Sequence, residues 1–128
     1  MDLIGAGNEA LPSARGSCTF EALIEHYRSH RAYLNPGPVV CVATVEAMMT
    51  GMPIVSVPPI NYKDVFVHRK NAMLVETPQS AVLAIKELAG NPVLRSSLGR
   101  EARRSAMERF GLKQFASKWN SVFQEVAG

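Results

Sequence analysis

The sequence predicts an α/β fold, a Rossmann-like three-layer α/β/α arrangement around a mostly parallel sheet. Three observations carry this prediction. Short apolar or β-branched runs alternate with stretches of helical periodicity. Most switches between the two are marked by Pro, Gly or a capping residue. The run Met52-Pro53-Ile54-Val55-Ser56-Val57 has no clear polar face, as a strand buried between two helical layers requires. At 128 residues, 47% of them hydrophobic and 20% charged, the chain fits one domain over residues 1–128 that can bury a real core.

Leu3-Ile4 reads as a short strand entering the turn Gly5-Ala6-Gly7-Asn8, with almost no lead-in. Residues 12–16 form a loop by composition. Thr19 then caps a helix over 20–30, with Glu21 in its first turn and Phe20, Leu23, Ile24 and Tyr27 as its apolar stripe. Residues 31–35 form a strand that Pro36-Gly37-Pro38 ends. A helix begins near Val39 or Val40 and stops at Gly51, a C-cap glycine. The buried strand 52–57 follows and is closed by Pro58 and Pro59. Residues 60–70 are expected to form a loop with a short helix over 64–68, and residues 72–76 the next strand.

Thr77-Pro78 pairs a cap with a first-turn proline and starts a helix over 78–89, with Val82, Ile85, Leu88 and Ala89 on one side. Asn91-Pro92 repeats the signal. The helix it opens runs to about Phe110 and buries Leu94, Leu98, Ala102, Ala106 and Phe110. A last helix over 112–126 carries Phe115, Trp119, Val122, Phe123 and Val126 at helical spacing, a wide stripe that another molecule is expected to cover. In open sheets of this kind ligands bind beyond the carboxyl ends of the strands, here the loops after Ile4, Leu34, Val57 and Val75.

Composition narrows the function. Fourteen Lys and Arg against eleven Asp and Glu leave +3, much of it in Arg95, Arg100, Arg103, Arg104 and Arg109, but Glu101 and Glu108 are interspersed and aromatic residues are not, so nucleic acid is not an expected partner. Cys18 and Cys41 show no metal-ligand spacing and read as reduced thiols of a cytoplasmic protein. Neither a leader pattern nor a membrane-length apolar run of roughly eighteen residues occurs. His26, His30 and His68 suggest no metal site or triad, and Ser56, Thr44 and Cys41 lack an identifiable base, so no metal or cofactor is expected. Gly5-Ala6-Gly7-Asn8-Glu9-Ala10 has the form of a dinucleotide fingerprint, but Pro12 would break the helix it needs.

The informative stretch is 35–58. Its loop opens onto a helix, whose free first-turn N–H groups and dipole attract anions, as at any strand-to-helix junction. Glu46 is the one carboxylate on that apolar helix. It can accept hydrogen bonds from vicinal hydroxyls such as those of a ribose, pair with Lys63 or Arg31, or stand in solvent.

The segment Glu46-Ala47-Met48-Met49-Thr50-Gly51-Met52-Pro53-Ile54-Val55 resembles the Glu-Ala-Met-x-x-Gly-x-Pro-Val-Val segment of family 4 (group 1) glycosyltransferases, which have the GT-B fold. Arg31-Ala32-Tyr33-Leu34-Asn35 is similar to the family's strand before the donor loop, and Ala72-Met73-Leu74-Val75 to its Gly-x-Leu-Val strand. Leu98-Gly99-Arg100-Glu101-Ala102-Arg103 with Glu108-Arg109-Phe110 resembles its Gly-x-x-Ala-Arg to Arg-Phe ending. The match runs through nearly the whole chain in order.

The resemblance implies an incomplete GT-B C-terminal domain that holds a nucleotide-sugar donor without a metal. It assigns Glu46 to the ribose hydroxyls and the backbone around Cys41 and Val42 to the diphosphate, with Pro38, Val39 and Val40 completing the donor loop. Three positions depart from the pattern. Pro38 stands where the Glu-x7-Glu motif has its first glutamate, Cys41 replaces a glycine, and Pro58 and Pro59 replace a Gly-Gly pair. The family's phosphate-neutralising Arg and Lys would precede residue 1. The expectation is therefore the donor-binding half of a retaining glycosyltransferase, inactive alone, partnered by a second copy or by a separate N-terminal-domain chain, with helix 112–126 packed on the partner. The alternative is a non-catalytic nucleotide-binding or oligomerising module derived from such an enzyme.

Overall fold

The structure, a computed structural model, describes Asp2, Ile4, Ala6 and residues 10–128. Leu3, Gly5, Gly7 and Asn8, on which the expected Leu3-Ile4 strand and the turn after it rest, lie outside the described residues. From Phe20 onward the order is α1 (Phe20–Ser29), β1 (Tyr33–Asn35), α2 (Val42–Met49), β2 (Ile54–Ser56), β3 (Met73–Leu74), α3 (Pro78–Gly90), α4 (Pro92–Phe110) and α5 (Leu112–Ala127). The strands pair in parallel in the order β1-β2-β3, with Tyr33 opposite Ile54 and Val55 opposite Met73. This is the parallel α/β architecture expected.

The middle strand explains the layering. All three residues of β2 are buried, and successive side chains of a strand point to opposite faces. Ile54 packs with Tyr27 of α1 and with Ala47 and Met48 of α2. Val55 packs with Ala84 and Leu88 of α3. α4 serves both layers, placing Leu98 in the second cluster and Ala102 and Ala106 in the first. Met48, Ile54, Leu88 and Leu98 are the largest fully buried side chains, each contributing roughly 1.5–3 kcal/mol of apolar burial.

Local chemistry sets the helix ends. The Thr19 hydroxyl accepts from the Ala22 N–H, Thr77 and Ser80 form a reciprocal capping box, and Asn91 accepts from the Leu94 N–H at 2.9 Å. α2 closes with Gly51 at φ +81, donating to the Met48 carbonyl at 2.9 Å while Met52 donates to that of Ala47 at 3.1 Å. That pair of bonds is a Schellman motif, and its left-handed position favours glycine.

Three expectations are corrected. α2 begins at Val42 rather than near Val39 or Val40, because side chains of Asn35 and Asn61 hold the backbone of Gly37, Val39 and Val40 in a loop. No helix forms over 64–68. Instead the Asn71 side chain accepts from the Val67 N–H at 2.7 Å and donates to the Val65 carbonyl at 2.8 Å, and Tyr62 and Arg69 have positive φ. These side-chain bonds replace the ladder that a helix would need. On α3 the inward stripe is Ala81, Ala84 and Leu88, whereas Val82 and Ile85 face out. That helix is apolar on most sides, so periodicity alone does not select a face; the small alanines fit against Met73 and Val75.

Of the expected α4 stripe, Leu98, Ala102 and Ala106 are buried and Leu94 and Phe110 are partly buried, and Gly99 joins them. α5 contrasts with it. None of its side chains is buried, and Phe115, Trp119 and Phe123 form a ladder with ring centroids 6.1 and 5.6 Å apart on an open face. No helix among the described residues is long and apolar enough to cross a membrane.

Candidate functional site

The carboxyl ends of β1 and β2 meet at two buried polar residues, Asn35 and Ser56. The Asn35 amide donates to Ser56 Oγ at 3.0 Å and to the carbonyls of Gly37 and Val39 at 3.1 and 3.2 Å. Asn61 grips Val40 from the other side, accepting its N–H at 2.8 Å and donating to its carbonyl at 3.1 Å. Ile60 donates to the Pro38 carbonyl at 2.8 Å. Buried polar groups must be paired, and here the pairing fixes the loop over 36–41 against the strand ends. Neither asparagine stands out as a site residue in the sequence; an Asn at a strand end and another just past a Pro-Pro stop are the available signals.

This loop delivers the start of α2. Cys41 is the N-cap residue of α2, and no side-chain cap hydrogen bond forms there. Its sulfur lies 3.4 Å from the Thr44 hydroxyl. That hydroxyl, and then the Thr44 amide, hold the Cys41 thiol below its ordinary pKa. The Thr44 hydroxyl first and the first-turn backbone second thus stabilise the thiolate of Cys41.

The five expected donor-loop residues, Pro38, Val39, Val40, Cys41 and Val42, lie on this one loop-to-helix turn. The Val40 N–H is already committed to Asn61, so it is not available to an anion. Pro38 is exposed and carries no acceptor on its side chain. Val39, Val42 and Ile60 add an exposed apolar rim.

Glu46 sits one turn further along α2, half-buried, with Oε2 accepting from the Tyr27 hydroxyl at 3.5 Å. The same hydroxyl lies 3.4 Å from the Ala43 carbonyl, and the Tyr27 ring meets Tyr33 edge-on. Burial, and then the neighbouring Glu46 charge, push the Tyr27 phenol well above its usual range. Among the described residues neither Lys63 nor Arg31 pairs with Glu46, so its partner is a phenol rather than a base.

A second cleft of about 460 Å³ opens at the carboxyl ends of β2 and β3, lined by Pro58, His68, Leu74, Glu76, Thr77 and Ser80 among others. His68 Nδ1 accepts from the Leu74 N–H at 3.0 Å, which leaves the ring proton on Nε2. The other two histidines converge at the far end of α1, close to Asp2.

No family model matches the chain, and no curated protein matches it. Among solved structures it is similar to a GT-B glycosyltransferase, S. aureus TarM, as a mutant in complex with fondaparinux, alpha-GlcNAc-glycerol and UDP. The TM-score is 0.69 at 21% identity, over 86% of this chain. The chain spans 23% of the TarM chain. The likeness establishes the fold: this α/β unit has the architecture of part of a GT-B glycosyltransferase.

Proposed function

We propose that the chain is a donor-binding piece of a glycosyltransferase of the family 4 type, which holds a nucleotide sugar and does not complete transfer alone. The carrying observation is the start of α2. It lies at the carboxyl edge of the sheet and is held in place by Asn35 and Asn61, with Cys41 and Val42 opening the helix. A diphosphate suits the Cys41 and Val42 amides there without a metal. Glu46 suits the ribose: its half-buried carboxylate, with Oε2 3.5 Å from the Tyr27 hydroxyl, can accept from vicinal hydroxyls. The presence of UDP on the TarM structure supports the same ligand class. Pro38 argues against turnover, because it offers no charge at the position where the family pattern has its first glutamate. The two free thiols suit a reducing, cytoplasmic compartment.

Calorimetric titration with UDP, GDP and TDP and their sugars tests this reading. The expected result is saturable binding of at least one of them, weakened roughly tenfold or more by Glu46→Ala, the worth of a charged hydrogen bond. Absence of binding to all of them at millimolar concentration would overturn donor binding. Robust sugar transfer by the isolated chain would overturn the inactive reading.

The open face of α5 favours a second reading, an oligomerising module, which is compatible with the first. Leu112, Phe115, Trp119, Val122 and Val126 follow a 3-4-3-4 spacing, the seam of a coiled coil, and Lys118 and Glu125 flank it seven residues apart. In an antiparallel pair, Lys118 of one copy meets Glu125 of the other, so the face suits a second copy of this chain. Sedimentation should then show a dimer at micromolar concentration that Trp119→Lys dissociates. A monomer throughout would favour a separate N-terminal-domain chain as the occupant.

A further inference from the structure

We infer that Asp2, His26 and His30 form a binding site for a divalent transition-metal ion of the zinc type. The site is independent of the nucleotide reading and lies at the other edge of the sheet, where His30 shares a cleft of about 300 Å³ with Thr50, Gly51 and Pro53 ahead of β2. One ligand atom from each of the three residues falls within 4.8 Å of the others.

The convergence of the three side chains carries the inference, and the hydrogen bonds of His30 set which ring nitrogen faces the site. His26 and His30 are four residues apart, so both rings project from one face at the end of α1. His30 Nδ1 lies 2.7 Å from the His26 carbonyl oxygen, which can only accept. It also lies 3.2 Å from Ser29 Oγ, but that hydroxyl donates its proton to the same carbonyl at 3.0 Å, so it too can only accept from His30. Nδ1 must therefore carry a proton. In the neutral ring Nε2 then holds a lone pair, and it faces Asp2 Oδ2 at 3.0 Å.

Two lone pairs at that separation repel unless a cation lies between them. An extra proton would suffice for His30 and Asp2 alone. It would not account for His26, whose ring supplies a third ligand atom within 4.8 Å of the other two. Two imidazoles and one carboxylate are the donors that zinc prefers, whereas calcium and magnesium take oxygen almost throughout. The surroundings match a metal site as well. An Nδ1–H to carbonyl bond is the support that a metal-bound imidazole commonly has, and Arg15 Nε donates to Asp2 Oδ1 at 3.2 Å, fixing the carboxylate while Oδ2 stays available. Three protein ligands leave a fourth position open.

The test is titration of the full chain, carrying Cys18→Ser and Cys41→Ser to remove thiol binding, with Co²⁺ followed by absorption and with Zn²⁺ by calorimetry. The expected result is one ion per chain, visible cobalt bands of a low-coordinate nitrogen and oxygen site, and at least a tenfold loss of Zn²⁺ affinity in His26→Ala and in Asp2→Asn separately. Circular dichroism of each variant confirms that it folds. Failure to bind Zn²⁺ at about 100 μM, or affinity unchanged by His26→Ala, would overturn the proposal and leave an imidazolium–carboxylate ion pair.

Discussion

Gly99 of α4 rests against the carbonyl oxygen of Gly51 at the end of α2, and a β-carbon on residue 99 would overlap that oxygen. Backbone cannot retreat as a flexible side chain can. The contact is reinforced by Arg103, whose guanidinium donates to the Met49 carbonyl at 3.0 Å, a cation at the negative end of α2. Gly99→Ala should therefore destabilise the fold by about 1–3 kcal/mol, read as a lower denaturant midpoint at unchanged slope. Gly90→Ala is the control, since a β-carbon there meets nothing within 4 Å and glycine is costly in a helix. It should leave stability unchanged or raise it.

Asn61 satisfies both backbone groups of Val40, which is itself buried. Asn61→Ala strands that N–H and that carbonyl, at a cost of about 1–3 kcal/mol. The loss should be local. Hydrogen exchange at the Val40 amide is expected to accelerate far more than exchange in α4, and equal acceleration in both places would show that the loop is not separately anchored.

Two ion pairs tie down the loop where a helix was expected. Arg109 reaches Asp64 at 2.8 and 3.1 Å, and Arg69 reaches Glu87 at 2.7 and 3.1 Å. The hydrogen bonds from these arginines lower both carboxyl pKa values below their ordinary 3.8 and 4.5. A carboxylate depressed in the folded state stabilises it above the unfolded value, and that stabilisation is lost as pH falls through the folded value. Stability should decline below about pH 4 for this reason. The decline should be shallower in the Arg69→Ala, Arg109→Ala double variant and weaker at high salt, because both pairs are exposed. An identical acid profile in the double variant would remove the pairs from the account.

The parts of the fold that were legible in the sequence are those with a local cause. Thr19, Thr77 and Asn91 cap the helices assigned to them, Gly51 ends α2, and the uninterrupted apolar character of Ile54 and Val55 identifies a strand covered on both faces. What was not legible depends on partners distant in sequence. Val40 reads as helical until Asn61, twenty-one residues later, takes its backbone. Residues 64–68 read as helical until Asn71 competes for the same groups. The candidate site divides in the same way. The loop-to-helix turn at Cys41 and the lone Glu46 were visible, whereas the phenol facing Glu46 comes from α1, nineteen positions earlier, and Asp2 stands twenty-eight positions from the histidine it meets.

Cys41 reports on the charge preference of the α2 start without requiring a ligand. Its thiol is held below the ordinary value first by the Thr44 hydroxyl and then by the Thr44 amide, so thiolate forms at lower pH than in the unfolded chain. Thiolate is the species that alkylates. The rate of modification by iodoacetamide at Cys41 should therefore rise with pH about a midpoint lower than that of the denatured protein. Thr44→Val removes the leading cause and should move the midpoint back upward. A midpoint equal to the denatured value would mean that the helix start does not favour negative charge and would remove the main support for a diphosphate there. If a nucleotide sugar does occupy this turn, it should slow alkylation of Cys41 and leave that of the exposed Cys18 unchanged, which peptide mapping separates in one experiment.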